Sequence, residues 1–250
     1  MFDKMIKKSI KELILEISQN PLLHFSEKSL QVRLAAKLIK YPELSTPIQT
    51  RLYERYEKQM RRLESNESYL RNALSIAPLQ MEYGTNDRAP YRIDIAILDP
   101  EEIRLIDSWQ FQRERKYLVP VIGIEIGTEK IGMGKISDKH LKNDAEKLKD
   151  SKLGYILNIL RNTNVCGKQT KSYENKVQQL DSFRNGLRRE SMLSKHPHIN
   201  WIGLIIHIAY QEVEFFGINN DWKTFTVPSK NFQSAVNEKL WSAALRNGSG

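Results

Sequence analysis

The sequence predicts an α/β domain with a central mixed β-sheet flanked by helices on both faces, an added N-terminal helix and a helical insertion. Three observations lead there. Apolar residues recur at helical spacing in the first third of the chain. From Pro78 the period drops to two. Short alternating or fully apolar strands then trade places with amphipathic helices as far as Ala209. The chain has 250 residues, enough for one good core.

Phe2, Met5, Ile6, Ile10, Leu13 and Ile17 share one helical face, and Asn20-Pro21 breaks that helix. Residues 1–20 are read as a helix on the core, and 21–247 as one domain. Ser26 is placed to cap a second helix, Glu27 to Lys40, with Leu30, Leu34 and Leu38 inward. A charged helical insertion at about 44–75 includes the basic run Arg51, Arg55, Lys58, Arg61 and Arg62. Pro78 to Tyr83 reads as a strand, and YGTNDRAP as a turn. Arg92 to Leu98 alternates, with Ile93, Ile95 and Ile97 on one face and Arg92, Asp94 and Ala96 on the other. Glu101 to Lys116 is expected to be a polar insertion with a short hairpin around Ile103 and Leu105. Strands are expected at Val119 to Ile126, Gly154 to Leu160 and Trp201 to Ala209, with Val213 to Phe216 completing a hairpin. Helices are expected at Asp138 to Lys149, around Tyr173 to Leu187, and from Asn231 to Leu245. The final Gly-Ser-Gly, 248–250, is read as a cloning remnant.

Lys plus Arg number 39 and Asp plus Glu 30, a formal charge of +9. Such a surplus attracts polyanions, nucleic acid above all, although it also serves solubility. No apolar run approaches the ~18 residues of a membrane span, so no membrane association is expected. Cys166 is the only cysteine, which excludes an internal disulfide and a cysteine zinc site. A reducing, cytoplasmic location is the matching expectation.

Asp94 and Glu125 are the residues that point to chemistry. Each is an acid inside an otherwise apolar strand, opposite the isoleucines. Burying a carboxylate in a sheet is costly unless it is paired or binds a cation. Two on neighbouring strands repel unless something positive lies between them. Two readings stand: a divalent-metal site, or local ion pairs of Asp94 with Arg92 and of Glu125 with a nearby lysine. His24, His140, His196, His198 and His207 show no metal-ligand spacing. His207, in an apolar strand, reads as a satisfied core residue.

The order of these segments, from about Phe25 to Ala209, resembles the PD-(D/E)XK nuclease superfamily, the restriction-endonuclease-like fold. Four stretches carry the likeness. Ala-Pro-Tyr-Arg-Ile-Asp94-Ile-Ala-Ile matches the strand with the first acid. Ile-Gly-Ile-Glu125-Ile-Gly127 matches the strand ending in the second. Glu27 and Gln31 match a glutamate and glutamine one turn apart on the first helix. Asp144-Ala145-Glu146-Lys147-Leu148 matches the helix that follows the second acid. The resemblance implies a divalent-metal-dependent endonuclease acting on nucleic acid, double-stranded DNA being expected, in a restriction or anti-phage role. It implies Mg²⁺ or Mn²⁺ held by Asp94 and Glu125, with Glu27 as a further ligand and Gln31 and Asp144 in support. A homodimer or a protein partner in a defence complex is the matching assembly.

One position departs from the pattern. Gly127 stands where the family has a lysine that orients water and stabilises charge. Lys130 and Lys147 are the candidates to replace it, against the bland readings of a solvated loop charge and an (i, i+3) pair with Asp144. Lys171, Lys176, Arg184, Arg188 and Arg189 are candidate contacts to a nucleic-acid backbone, or ordinary exposed charges. The alternative to an active nuclease is a catalytically inactive subunit of the same fold that binds nucleic acid within a larger complex. A scaffold protein is the third reading.

Overall fold

The computed structural model describes residues 1–22, 26–51, 73–84, 92–107, 110–111, 118–130, 138–162, 171–218, 221–227, 233 and 236. The helices are α1 (Phe2–Gln19), α2 (Glu27–Leu38), α3 (Pro42–Ser45), α4 (Pro100–Leu105), α5 (Asp138–Leu148) and α6 (Lys171–Leu193). The strands are β1 (Ile48–Gln49), β2 (Ser75–Ile76), β3 (Leu79–Gly84), β4 (Arg92–Ile97), β5 (Ile122–Lys130), β6 (Leu153–Asn162), β7 (Ile199–His207), β8 (Glu212–Ile218) and β9 (Asp221–Thr226). Of the helical insertion expected at about 44–75, residues 52–72 lie outside the described residues, and its described ends include the paired strands β1 and β2. The tail helix expected from Asn231 to Leu245 also lies outside them, apart from positions 233 and 236.

The architecture is α/β, with a seven-stranded mixed sheet in the order β3-β4-β5-β6-β7-β8-β9. β3, β4 and β5 form an antiparallel meander; β5, β6 and β7 run parallel; β8 and β9 return antiparallel. Two parallel crossovers in the same direction put α5 and α6 on one face. Leu141 and Leu148 of α5, and Phe183 and Leu187 of α6, pack there on Ile156, Leu160 and Ile205. On the other face, Ile6, Ile10 and Leu13 of α1 and Leu30 and Leu34 of α2 cover Ile95, Ile124, Leu157 and Leu204. Buried on both sides, β6 is apolar almost throughout, as a central parallel strand must be. Ser26 caps α2, as the sequence predicts, and Ser29 completes a capping box with it.

Three expectations are corrected. Residues 100–105 form a helix, not a hairpin: Asp99 caps it, accepting from the Glu101 N–H, and Pro100 occupies its first turn. Ile93 joins the α5/α6 face while Ile95 and Ile97 join the other, so the alternation of β4 breaks at Asp94. The strand expected to reach Ala209 stops at His207, where a 3₁₀ turn begins, and β9 adds an edge strand beyond the expected hairpin.

A polar chain closes the far side of the sheet. Arg184 of α6 grips Glu214 of β8 through two nitrogens at 2.7 and 2.5 Å. His207 Nε2 lies 2.7 Å from Glu214 Oε1, and its Nδ1 3.1 Å from Asn162 Nδ2. His207 is thus a satisfied core histidine. Burial pushes the Glu214 carboxyl up, but the bonds from His207 and Arg184 outweigh it and hold the pKa at about 2, below the ordinary 4.5. A depressed carboxyl stabilises the fold above its unfolded pKa and loses that contribution as pH falls through its folded pKa. Glu214→Gln is therefore expected to cost about 3 kcal/mol at pH 7. The gap from the parent protein should close between about pH 4.5 and 2. Urea unfolding across that range checks it; a gap independent of pH would contradict the assignment.

Candidate functional site

Glu125 stands mid-strand in β5 with its side chain on the α5 face, and only 2 % of its surface is exposed. What lies over it is set by Gly123, one pleat earlier on the same face. A Cβ at Gly123 would come 2.5 Å from Cδ2 of Leu148, so the bare backbone lets α5 settle onto β5. Lys147, next to Leu148, then reaches the acid. Its Nζ donates to Glu125 Oε2 at 2.6 Å and to Asp144 Oδ1 at 3.2 Å. The (i, i+3) pair expected for a surface lysine is present, but the shorter bond is to the buried strand acid.

Asp94 enters from β4 where two ladders are interrupted. The β4–β5 pairing stops at Ile95–Ile124, and the β3–β4 ladder omits the Glu82–Asp94 step. Glu82 there has φ of 52°, a left-handed conformation costly for a residue with a Cβ. Side chains take over from the missing backbone pairs. The Asp94 N–H donates to Glu125 Oε1 at 3.3 Å, and the Ile126 N–H donates to Asp94 Oδ2 at 2.7 Å. The two acids face each other across the strands; the expected pair of Asp94 with Arg92 is not made, whereas the expected pair of Glu125 with a nearby lysine is, through Lys147. Glu27, at the start of α2, sits close enough to feel the charges of Asp144, Lys147, His140 and Glu82.

Four carboxylates thus share one described ammonium. Burial, opposed by the Ile126 N–H and Lys147 and reinforced by Glu27 and Asp144, pushes Asp94 up to about 6. Burial and the neighbouring Asp94 raise Glu125 well above the ordinary range, against the pull of Lys147. Burial raises Asp144 as well, and burial together with Asp144 raises Glu27. Burial disfavours the Lys147 ammonium, yet Glu125 and Asp144 hold its proton more tightly than usual. Local charge is short of cations, the electrostatic condition under which a divalent ion is attracted.

The donors suit a hard cation, since all are carboxylate oxygens. Among the described residues, no group of three or more His, Cys, Asp or Glu side chains could hold a metal ion by itself. The fit is therefore to an ion that keeps its waters and takes one or two carboxylates plus oxygens of a ligand, which is how magnesium is commonly bound.

Of the other residues singled out by sequence, Gln31 is buried on α2, one turn after Glu27, and its Oε1 has no hydrogen-bond partner among the described residues. Lys130 lies at the end of β5; its side chain and those of Lys171 and Lys176 fall outside the described residues. Arg184 is committed to Glu214 and Asp181, Arg188 to Asp221, and Arg189 bonds Glu190. Sequence reading missed Asn158. It interrupts the apolar run of β6, and that polar break was its signal. Its carboxamide occupies the space beside Gly127: a Cβ there would lie 2.0 Å from Asn158 Oδ1. No lysine fits at 127 while Asn158 keeps this position.

No helix among the described residues is long and apolar enough to cross a membrane. Comparison of the chain with family models, with curated proteins and with solved structures finds no match.

Proposed function

We propose that the chain is a divergent nuclease of the PD-(D/E)XK type, a divalent-metal-dependent endonuclease that hydrolyses phosphodiester bonds in DNA. The observation that carries this reading is the meeting of Asp94, Glu125 and Lys147, from β4, β5 and α5, at the interruption of two strand ladders. The element order supports a restriction-endonuclease-like core: α2, the β3–β5 meander, α5 and then parallel β6. The formal charge of +9 supports a polyanionic substrate.

Asp94 and Glu125 would hold Mg²⁺ or Mn²⁺, with Glu27 at the rim. When bound, the ion supplies Lewis acidity toward a phosphoryl oxygen and a water of lowered pKa. Lys147 cannot serve as a base, because its proton is held tightly. It serves as a fixed positive donor toward the oxygen that gains charge as phosphorus is attacked. Asp144 fixes that ammonium through its 3.2 Å contact. Glu27, raised by burial and by Asp144, is suited to take the proton of the attacking water. A water oxygen bonds to phosphorus, one ester P–O bond breaks, and the leaving oxygen takes a proton from solvent. The ends are a phosphomonoester and a hydroxyl.

A second reading rests on Gly127: a subunit of the same fold that binds nucleic acid without cutting it. Incubating the full chain with plasmid and with labelled single- and double-stranded oligonucleotides in Mg²⁺, Mn²⁺ or EDTA separates the two. The proposal expects cutting that needs the ion and falls about a thousandfold in Asp94→Ala and Glu125→Ala. Intact substrates under all conditions, with salt-sensitive binding that survives Asp94→Ala, would replace it with the second reading.

A further inference from the structure

Asn158 is 4 % exposed, and its Nδ2 has no hydrogen-bond partner among the described residues. Leaving a buried amide donor unsatisfied costs about 1–3 kcal/mol, so such a group calls for a partner or a reason. Its placement supplies one. In the parallel pairing of β5 and β6, Asn158 sits beside Gly127, as Ile156 sits beside Glu125. Glu125 and Gly127 are two residues apart and share a face, the one covered by α5. The Asn158 side chain leans over the bare Gly127 backbone, its Oδ1 2.0 Å and its Nδ2 3.9 Å from where a Cβ would stand. The carboxamide therefore fills the place from which a side chain at 127 would leave the strand, one pleat beyond the acid that Lys147 touches.

We infer that Asn158 is a substrate-binding residue whose Nδ2 donates to a non-bridging phosphoryl oxygen of the nucleic acid. The missing lysine is thereby replaced in two parts: Lys147 brings the charge, and Asn158 brings the neutral, directional donor. Gly127 is bare because the donor comes from the adjacent strand. The inference rests on the phosphodiester reading of the Asp94–Glu125 site and adds to it the group that receives the phosphate. The alternative partner for Nδ2 is a trapped water with a purely structural role.

Two measurements on the full chain decide between them. The first is the Asn158 side-chain amide signal in a ¹⁵N-correlated NMR spectrum, assigned by its loss in Asn158→Asp. It is followed as a short oligodeoxynucleotide is added with Ca²⁺ in place of Mg²⁺. The second is cleavage kinetics and melting temperature of Asn158→Ala. The inference expects the amide signal to move with saturation. It expects kcat to fall about a hundredfold with KM changed less than about threefold, the pattern of a donor used in the transition state. It expects Tm unchanged or higher, because an unsatisfied amide has been removed. A stationary amide signal with unchanged kcat and a lowered Tm would overturn it and leave the nuclease reading standing. A moving amide signal in a protein that cuts nothing would uphold Asn158 as a phosphate ligand and remove hydrolysis. A stationary amide signal in a protein that cuts nothing would sink both.

Discussion

Asp94→Asn is expected to make the metal-free protein more stable and to abolish its hydrolytic activity. The carboxylate is buried, faces Glu125 across the strands and lies near Asp144 and Glu27, with Lys147 as the one described ammonium among them. The amide keeps an oxygen to accept from the Ile126 N–H, so the clip between β4 and β5 survives. What disappears is one negative charge from a site with too many. Asp94 is raised from 3.8 to about 6 in the folded protein. An acid raised on folding favours the fold fully below its unfolded pKa, and that favour is lost as pH rises through the folded value. The gain from Asp94→Asn is therefore expected to be on the order of 1–3 kcal/mol at pH 7.5 and to vanish toward pH 4. Chemical unfolding in EDTA at the two pH values reads both the size and the sign. Cleavage should fall by about three orders of magnitude, since a carboxylate ligand of the ion is gone. A structural role for Asp94 requires the opposite sign, destabilisation at pH 7.5.

Lys147→Met has the opposite effect on the fold. Methionine keeps most of the aliphatic stem but leaves Glu125, 2 % exposed, facing Asp94 and Asp144 without an ammonium. Removing one partner of a buried ion pair costs about 3–5 kcal/mol; because Lys147 is partly exposed, about 2–4 is expected here. Part of that loss should return on adding Mg²⁺, because the ion supplies the positive charge the lysine no longer does. The Tm increment from Mg²⁺ should therefore be larger in Lys147→Met than in the parent, while kcat falls about a hundredfold. A lysine that only tied α5 to β5 would show the loss of Tm, no extra response to Mg²⁺ and an unchanged kcat.

The legible part of this site was legible for a physical reason. An acid in an apolar strand is a costly choice, so Asp94 and Glu125 stand out from composition and period alone. Lys147 was within reach of sequence reading because its helix follows the second acid directly. The break at Asp94 was not, since Arg92 to Leu98 alternates in sequence while the chain itself does not. The interruption depends on Glu82 in a left-handed conformation and on where the β5 ladder stops. Residues 99–105 carry two signals: Asp-Pro closes a strand and also opens a helix, and the Asp99 cap decides for the helix. β9 was missed because only its Trp222 and Phe225 are turned partly inward, which gives weak contrast. Arg184 read as a phosphate contact because its partner Glu214 is thirty residues away and no local pattern joins them. Gly127 read as a loss; with Asn158 in its present rotamer on the neighbouring strand, a Cβ at 127 would meet the carboxamide oxygen.

The measurement closest to the central claim is calorimetric titration of Mn²⁺ into the full chain at pH 7.5, beside the same titration into Asp94→Asn. One or two ions are expected to bind per chain, with protons released as the raised carboxyls ionise, and no comparable binding is expected for the variant. Equal uptake by both proteins, or none by either, would contradict that claim.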